Sequence, residues 1–218
     1  MATIHFDLDG TLLRLERSYE ELFATACEAA GARPADVAAA SDFYTERLFE
    51  HFRGLADEPY RRAVGETVAE FRLDADPDAL ARALLDAEIE GLTVPPGTRD
   101  ALSALADEHV LGVLTNGVGD VQRAKLAAHD LAAHFDAVVA SHDVGALKPA
   151  AAIFEHARER LPADRHVYVG DSAAHDVVPA AELGFGTVHV VEDVADGSDA
   201  ADAVIEPGEY AGVGDVVA

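Results

Sequence analysis

Four short segments place acidic, hydroxyl and amine side chains after apolar runs, three of them directly and one at the start of the helical pattern that follows the third run. The first is Asp7-Leu8-Asp9-Gly10-Thr11, behind Thr-Ile-His-Phe. Its two carboxylates leave a strand end on one face, and Gly10 permits a sharp turn. The second is Thr115-Asn116-Gly117, where a hydroxyl and backbone amides suit a phosphate oxygen. The third is Lys148-Pro149, and the fourth is Gly170-Asp171-Ser172 followed by Asp176. Together they offer carboxylates that can hold Mg²⁺ and attack, and donors for a transferring phosphoryl group.

Context separates these residues from similar ones. The pairs Asp74/Asp76 and Asp76/Asp78 repeat the Asp-x-Asp spacing in a polar turn with no strand before them. The pattern makes Lys148-Pro149 the opening of a helix, with Pro in the first turn. A cation there opposes the macrodipole by ~0.3–1 kcal/mol. The chain has only two lysines, Lys125 and Lys148, so one retained against its helix dipole points to function. Lys125, by contrast, reads as neutral. Asp176 precedes a helical run carrying Pro179, and a plain N-cap is its alternative reading. Cys27, the only cysteine, reads as core, which excludes a disulfide framework or a cysteine metal cluster. His129 and His134 lack the i, i+4 spacing of helical metal ligands.

Short apolar runs at 3–7, 110–114, 137–140, 166–169, 187–191 and 203–205 read as buried strands. From residue 110 onward they alternate with helical patterns such as Ile153, Phe154, Ala157 and Leu161. Alternation implies an α/β fold with a parallel, Rossmann-like sheet and right-handed crossovers. In such a sheet the C-terminal strand ends line one edge, and the four segments converge on one cleft there. Residues 15–94 show no strand and about four helical patterns, so they read as an all-helical insertion. Residues 1–14 and 95–218 then form the α/β core. Nine of the fourteen arginines fall between Arg14 and Thr93, Arg47, Arg53, Arg61 and Arg62 among them, and surface ion pairs are the expected use.

Sixteen basic and forty-one acidic residues give a net charge of −25, which argues against nucleic-acid and anionic-membrane partners. Such self-repulsion is muted where the screening length falls to ~3 Å, near 1 M salt, and a high-salt cytosol is the expected setting. No apolar run approaches the ~18 residues of a membrane helix and the start lacks a signal-peptide pattern, so the expected location is the cytoplasm. Oligomeric state is not legible.

In this order and at these strand ends, Asp7-Leu8-Asp9-Gly10-Thr11, Thr115-Asn116, Lys148-Pro149 and Gly170-Asp171 with Asp176 resemble the motifs of the haloacid dehalogenase-like superfamily. The match runs from about Thr3 to Val191, and the helical insertion is similar to the family's small cap. The resemblance implies that Asp7 is a nucleophile forming an aspartyl-phosphate and a Mg²⁺ ligand. It implies that Asp9 is the general acid/base and lends its carbonyl to the metal, while Thr115 and Asn116 hold phosphate. Lys148 would bridge phosphate and nucleophile, and Asp171 would ligate Mg²⁺ with support from Asp176. Gly10, Thr11 and Gly170 shape the turns. Asp9 favours phosphoryl chemistry, since the family's dehalogenases usually lack it. The implied activity is hydrolysis of a small phosphorylated metabolite. A sugar phosphomutase is the alternative and a receiver-like signalling domain a remote one. Leu13-Arg14-Leu15 departs from the Asp-Ser or Asp-Thr pair common after Gly-Thr-Leu in these phosphatases and mutases.

Overall fold

A computed structural model describes residues 1–217. In chain order its strands and α-helices are β1 Thr3–Phe6, β2 Arg14–Leu15, α1 Tyr19–Ala30, α2 Val37–Arg53, α3 Pro59–Glu70, α4 Pro77–Gly91, β3 Leu92–Thr93, α5 Thr98–Glu108, β4 Val110–Thr115, α6 Gly119–Ala128, β5 Ala137–Ala140, α7 Ser141–Val144, α8 Ala151–Arg160, β6 His166–Gly170, α9 Val178–Glu182, β7 Gly186–Val190, β8 Ala203–Ile205 and α10 Val213–Val217. The chain divides into two compact units: Met1–Arg14 with the chain from Thr93 onward, and Leu15–Leu92. The chain returns to the first unit two residues before the 94/95 boundary expected from sequence. The short strands β2 and β3 pair with each other, so residues 15–94 are not wholly helical as expected: Leu15 at one end and Leu92–Thr93 at the other are strand.

In the first unit six strands form one sheet in the order β5-β4-β1-β6-β7-β8, and every adjacent pair is parallel. The fold is therefore α/β and Rossmann-like, with the strands where the apolar runs lie, give or take one residue at the ends. The near-continuous apolar stretches Val110–Leu114 of β4 and Val167–Val169 of β6 fit a sheet covered on both faces. One face packs Tyr168, Leu114 and Val139 against Ile153, Phe154 and Ala157 of α8 and Ala180 of α9. On the other, Phe6 meets Phe135 and Tyr210 edge to face. β1 lies between β4 and β6, and Phe6 aligns with Val113 and Val169. The residues that follow these three strands therefore emerge at one level, where the strand order switches sides.

The second unit is a set of four helices, α1 packing chiefly with α4 and α2 with α3. A capping box starts α1: the Glu21 N–H donates to Ser18 Oγ at 3.2 Å, and the Ser18 N–H donates to Glu21 Oε2 at 2.8 Å. Its apolar stripe buries Leu22, Phe23, Ala26 and Cys27. Asp76 caps α4 by accepting from the Asp78 N–H, and Asp78 pairs with Arg61, so both members of the Asp76/Asp78 pair serve the helix and its surface. Arg47 pairs with Glu50 and Glu66, as expected for arginines on this unit's surface.

Candidate active site

Asp7 follows β1, its N–H bonded to the Val169 carbonyl at 2.8 Å, and its side chain is almost wholly buried. Lys148 Nζ donates to three acceptors: Asp7 Oδ1 at 2.8 Å, Asp176 Oδ1 at 2.6 Å and the Tyr168 hydroxyl at 2.8 Å. These use all three ammonium protons. The Tyr168 proton lies within reach of the Leu114 carbonyl and of Asp176 Oδ1. Asp176 Oδ2 accepts the Ser172 N–H at 3.0 Å, and a side chain at Gly170 would strike the Asp176 carboxylate at 2.6 Å. Asp171 is exposed, and its Oδ1 accepts from Thr11 Oγ1 at 3.0 Å. Gly10, at φ +93°, passes so close that a Cβ there would lie 2.5 Å from Asp171 Oδ2. Tyr210, from the far end of the chain, donates to the Thr11 carbonyl at 2.6 Å.

Asp9 points the other way. Its Oδ1 accepts from Lys125 Nζ at 2.8 Å and its Oδ2 from Gln122 Nε2 at 2.7 Å. Gln122 also donates to the Thr115 hydroxyl at 2.9 Å. Asn116 engages the Lys148 backbone through both atoms of its amide. Of the expected residues, Asp7, Lys148, Asp176 and Asn116 form one hydrogen-bonded group with the Asp171–Thr11 pair beside it, and Asp9 and Thr115 form a second through Gln122; Gly10 and Gly170 leave room for the Asp171 and Asp176 carboxylates.

Three expectations need correction. Lys148-Pro149 does not open a helix, because α8 starts at Ala151 with Ala150 as its N-cap. Both backbone polar groups of Lys148 are taken by Asn116, which holds the residue outside the helix, so the dipole argument does not apply. Lys125 is not neutral: it is buried and paired with Asp9. Asp176 is not an N-cap, since it lies inside a π-helical turn, Ala173–Val177, whose cap is Ser172. Sequence reasoning missed Gln122, Lys125, Tyr168 and Tyr210. The scarcity of lysine could have flagged Lys125, but nothing local marks the two tyrosines.

Burial pushes the Asp7 carboxyl up to about 8. Lys148 opposes this, while Asp176 and Asp171 add to it. Lys148 is held well above the usual lysine range: burial acts to lower it, and the carboxylates of Asp7 and Asp176 prevail. Although Asp171 as a residue is exposed, its carboxyl lies against Gly10 and Thr11, and it is raised by the loss of solvent there and by the neighbouring Asp176.

One carboxylate oxygen from each of Asp7, Asp171 and Asp176 lies within 4.8 Å of the others. Three carboxyl groups share one ammonium, and burial and mutual repulsion raise Asp7 and Asp171, so the site is short of positive charge. An all-oxygen donor set of this kind fits a hard divalent cation such as Mg²⁺.

A family model described as haloacid dehalogenase-like hydrolase matches residues 1–184. The pyrimidine 5'-nucleotidase YjjG of Escherichia coli is 33% identical over 119 residues, which is 53% of each chain. The chain thus spans about half the length of that curated relative. Among solved structures, the HAD-hydrolase YfnB of Bacillus subtilis bound to magnesium superposes with a TM-score of 0.73 at 22% identity, over 97% of this chain and 96% of that one. A HAD phosphatase from Thermococcus onnurineus gives a TM-score of 0.70 at 27% identity, over 100% and 98%.

Proposed function

The chain belongs to the haloacid dehalogenase-like hydrolase family, and from that premise we propose that it hydrolyses a small phosphate monoester through a phosphoryl group carried on Asp7. The observation that carries this reading is the pairing of two first-segment carboxylates with separate partners: Asp7 with Lys148, Asp9 with Gln122 and Lys125. One is held by a cation in a buried pocket, as an attacking carboxylate needs. The other is partly open to solvent, as a proton carrier needs.

An Asp7 oxygen attacks phosphorus, the ester P–O bond breaks, and Asp9 gives the leaving oxygen its proton. Water then attacks the acyl phosphate, Asp9 takes a proton from it, and inorganic phosphate leaves with Asp7 restored. Lys148 offsets the repulsion between a carboxylate and a dianionic ester. Thr115 supplies a hydroxyl to the phosphate, and Asn116 acts on it through Lys148. Asp7, Asp171 and the Asp9 carbonyl, supported by Asp176, are the residues that would hold Mg²⁺, which supplies charge stabilisation to the phosphoryl group. The Leu15–Leu92 unit corresponds to the family's cap by its place in the sequence. Phosphatase and nucleotidase relatives support a small phosphorylated metabolite as substrate.

Phosphate release from a panel of phosphorylated metabolites, with Mg²⁺ at molar KCl, tests the reading. Release that vanishes with EDTA and returns with Mg²⁺ is expected. Undiminished turnover after thorough chelation overturns the metal assignment, and isomerised ester without free phosphate overturns hydrolysis in favour of a mutase.

A further inference from the structure

Gln122 and Lys125 stand one turn apart on α6, 1% and 3% exposed. Positions i and i+3 share a face, and this face turns inward, where stability alone is served by apolar side chains. A buried amide and a buried ammonium are tolerated only when bonded. Both are bonded to Asp9, one to each carboxylate oxygen, at 2.7 and 2.8 Å. Gln122 reaches Asp9 because residue 117 has no side chain: a Cβ on Gly117 would lie 2.8 Å from Gln122 Cδ and 2.9 Å from its Nε2. The lysine is the more telling choice. Where this chain needs a cation it uses arginine fourteen times and lysine twice, and both lysines sit on the paired aspartates.

We propose that Gln122 and Lys125 are positioning residues that fix the Asp9 carboxyl for proton transfer to the leaving oxygen. Holding both oxygens fixes the plane of the carboxyl as well as its place. The Asp9 side chain is 39% exposed, so it is gripped from the α6 side and open on another. By bridging Asp9 to the Thr115 hydroxyl, Gln122 also ties the proton carrier to the strand end expected to meet phosphate. This inference rests on the phosphoester-hydrolysis reading above.

The test is the leaving-group dependence of kcat/KM, which reports steps up to departure of the alcohol. Phenyl phosphate and p-nitrophenyl phosphate serve as probes for the wild type, Gln122→Met, Lys125→Met and Lys125→Arg. Lys125→Arg keeps the charge but brings a planar fork in place of a point donor. It is the variant to read if Lys125→Met fails to fold. A positioning role predicts that phenyl phosphate, which needs protonation to leave, loses on the order of 10-fold more than p-nitrophenyl phosphate. Equal losses for the two esters, or no loss in folded variants, overturn the proposal, since a purely structural role does not distinguish leaving groups. A wild type inert towards both esters and the metabolite panel overturns the hydrolysis reading itself.

Discussion

Asn116 and Lys148 clasp one another across 32 residues of sequence: Asn116 Oδ1 accepts the Lys148 N–H at 2.8 Å, and Asn116 Nδ2 donates to the Lys148 carbonyl at 3.1 Å. The amide bonded on both sides fixes where the lysine leaves the backbone. The loop after β4, rather than a helix end, aims the ammonium at Asp7 and Asp176.

Lys148→Met leaves two buried carboxylates without their cation. A loss of about 3–5 kcal/mol in urea unfolding is expected, together with loss of phosphate release. Asn116→Leu keeps the ammonium but strips two backbone bonds, and about 1–3 kcal/mol is the expected cost. Equal stability of Lys148→Met and wild type would show that the ion pairs contribute nothing net.

The first-segment aspartates separate by kinetics. On the proposed mechanism Asp7→Asn replaces the attacking carboxylate with a non-nucleophilic amide, so neither phosphoenzyme nor turnover is expected. Asp9→Asn keeps the nucleophile but cannot carry a proton, and turnover of a poorly leaving alkyl ester should fall by ~10²–10⁴. With p-nitrophenyl phosphate the attack suffers less than the later hydrolysis, and phosphoenzyme accumulates. Rapid-quench mass spectrometry reads both; label on Asp7→Asn protein contradicts the assignment.

His5 lies buried in β1, stacked on His166, and burial, with His166 and Arg158 adding to it, lowers its pKa from 6.5 to about 3. The unfolded chain therefore binds this proton more readily than the folded one. The stability contributed by neutral His5 is complete above about pH 6.5 and drains away as pH falls towards 3, at ~1.4 kcal/mol per unit inside that window. Urea midpoints of wild type and His5→Leu at pH 7 and pH 5 isolate the effect from the carboxylates. The variant should lose less on acidification, and parallel losses would remove His5 as the cause.

A net charge of −25 repels itself, and salt lowers that cost to the compact state. The melting temperature should rise as KCl goes from about 0.1 M towards molar concentrations, where the Debye length is ~3 Å. A flat or falling profile contradicts adaptation to high salt.

Strand positions were legible because parallel strands covered on both faces leave near-continuous apolar runs, as in Val110–Leu114 and Val167–Val169. Asp7, Asp9 and Asp171 were legible because they follow those runs with Gly10 or Gly170 close by, and Lys148 because it is one of only two lysines and precedes a proline. Gln122 was hidden because a helix face is read for apolar spacing, and a buried amide looks exposed by composition. Tyr168 and Tyr210 act through hydroxyls whose partners lie 54 and 199 residues away in sequence, a distance no local pattern spans. The starting point of α8 was misread because Pro149 suits a first helical turn equally well when it stands just before one.

Both lysines are 3–5% exposed, so the folded chain withholds its ε-amines from acylating and reductively alkylating reagents. Side-chain modification at lysine must wait for the site to open. Its rate under native conditions then measures how often this edge of the sheet unlocks, with Lys125 reporting on the Asp9 side and Lys148 on the Asp7 side.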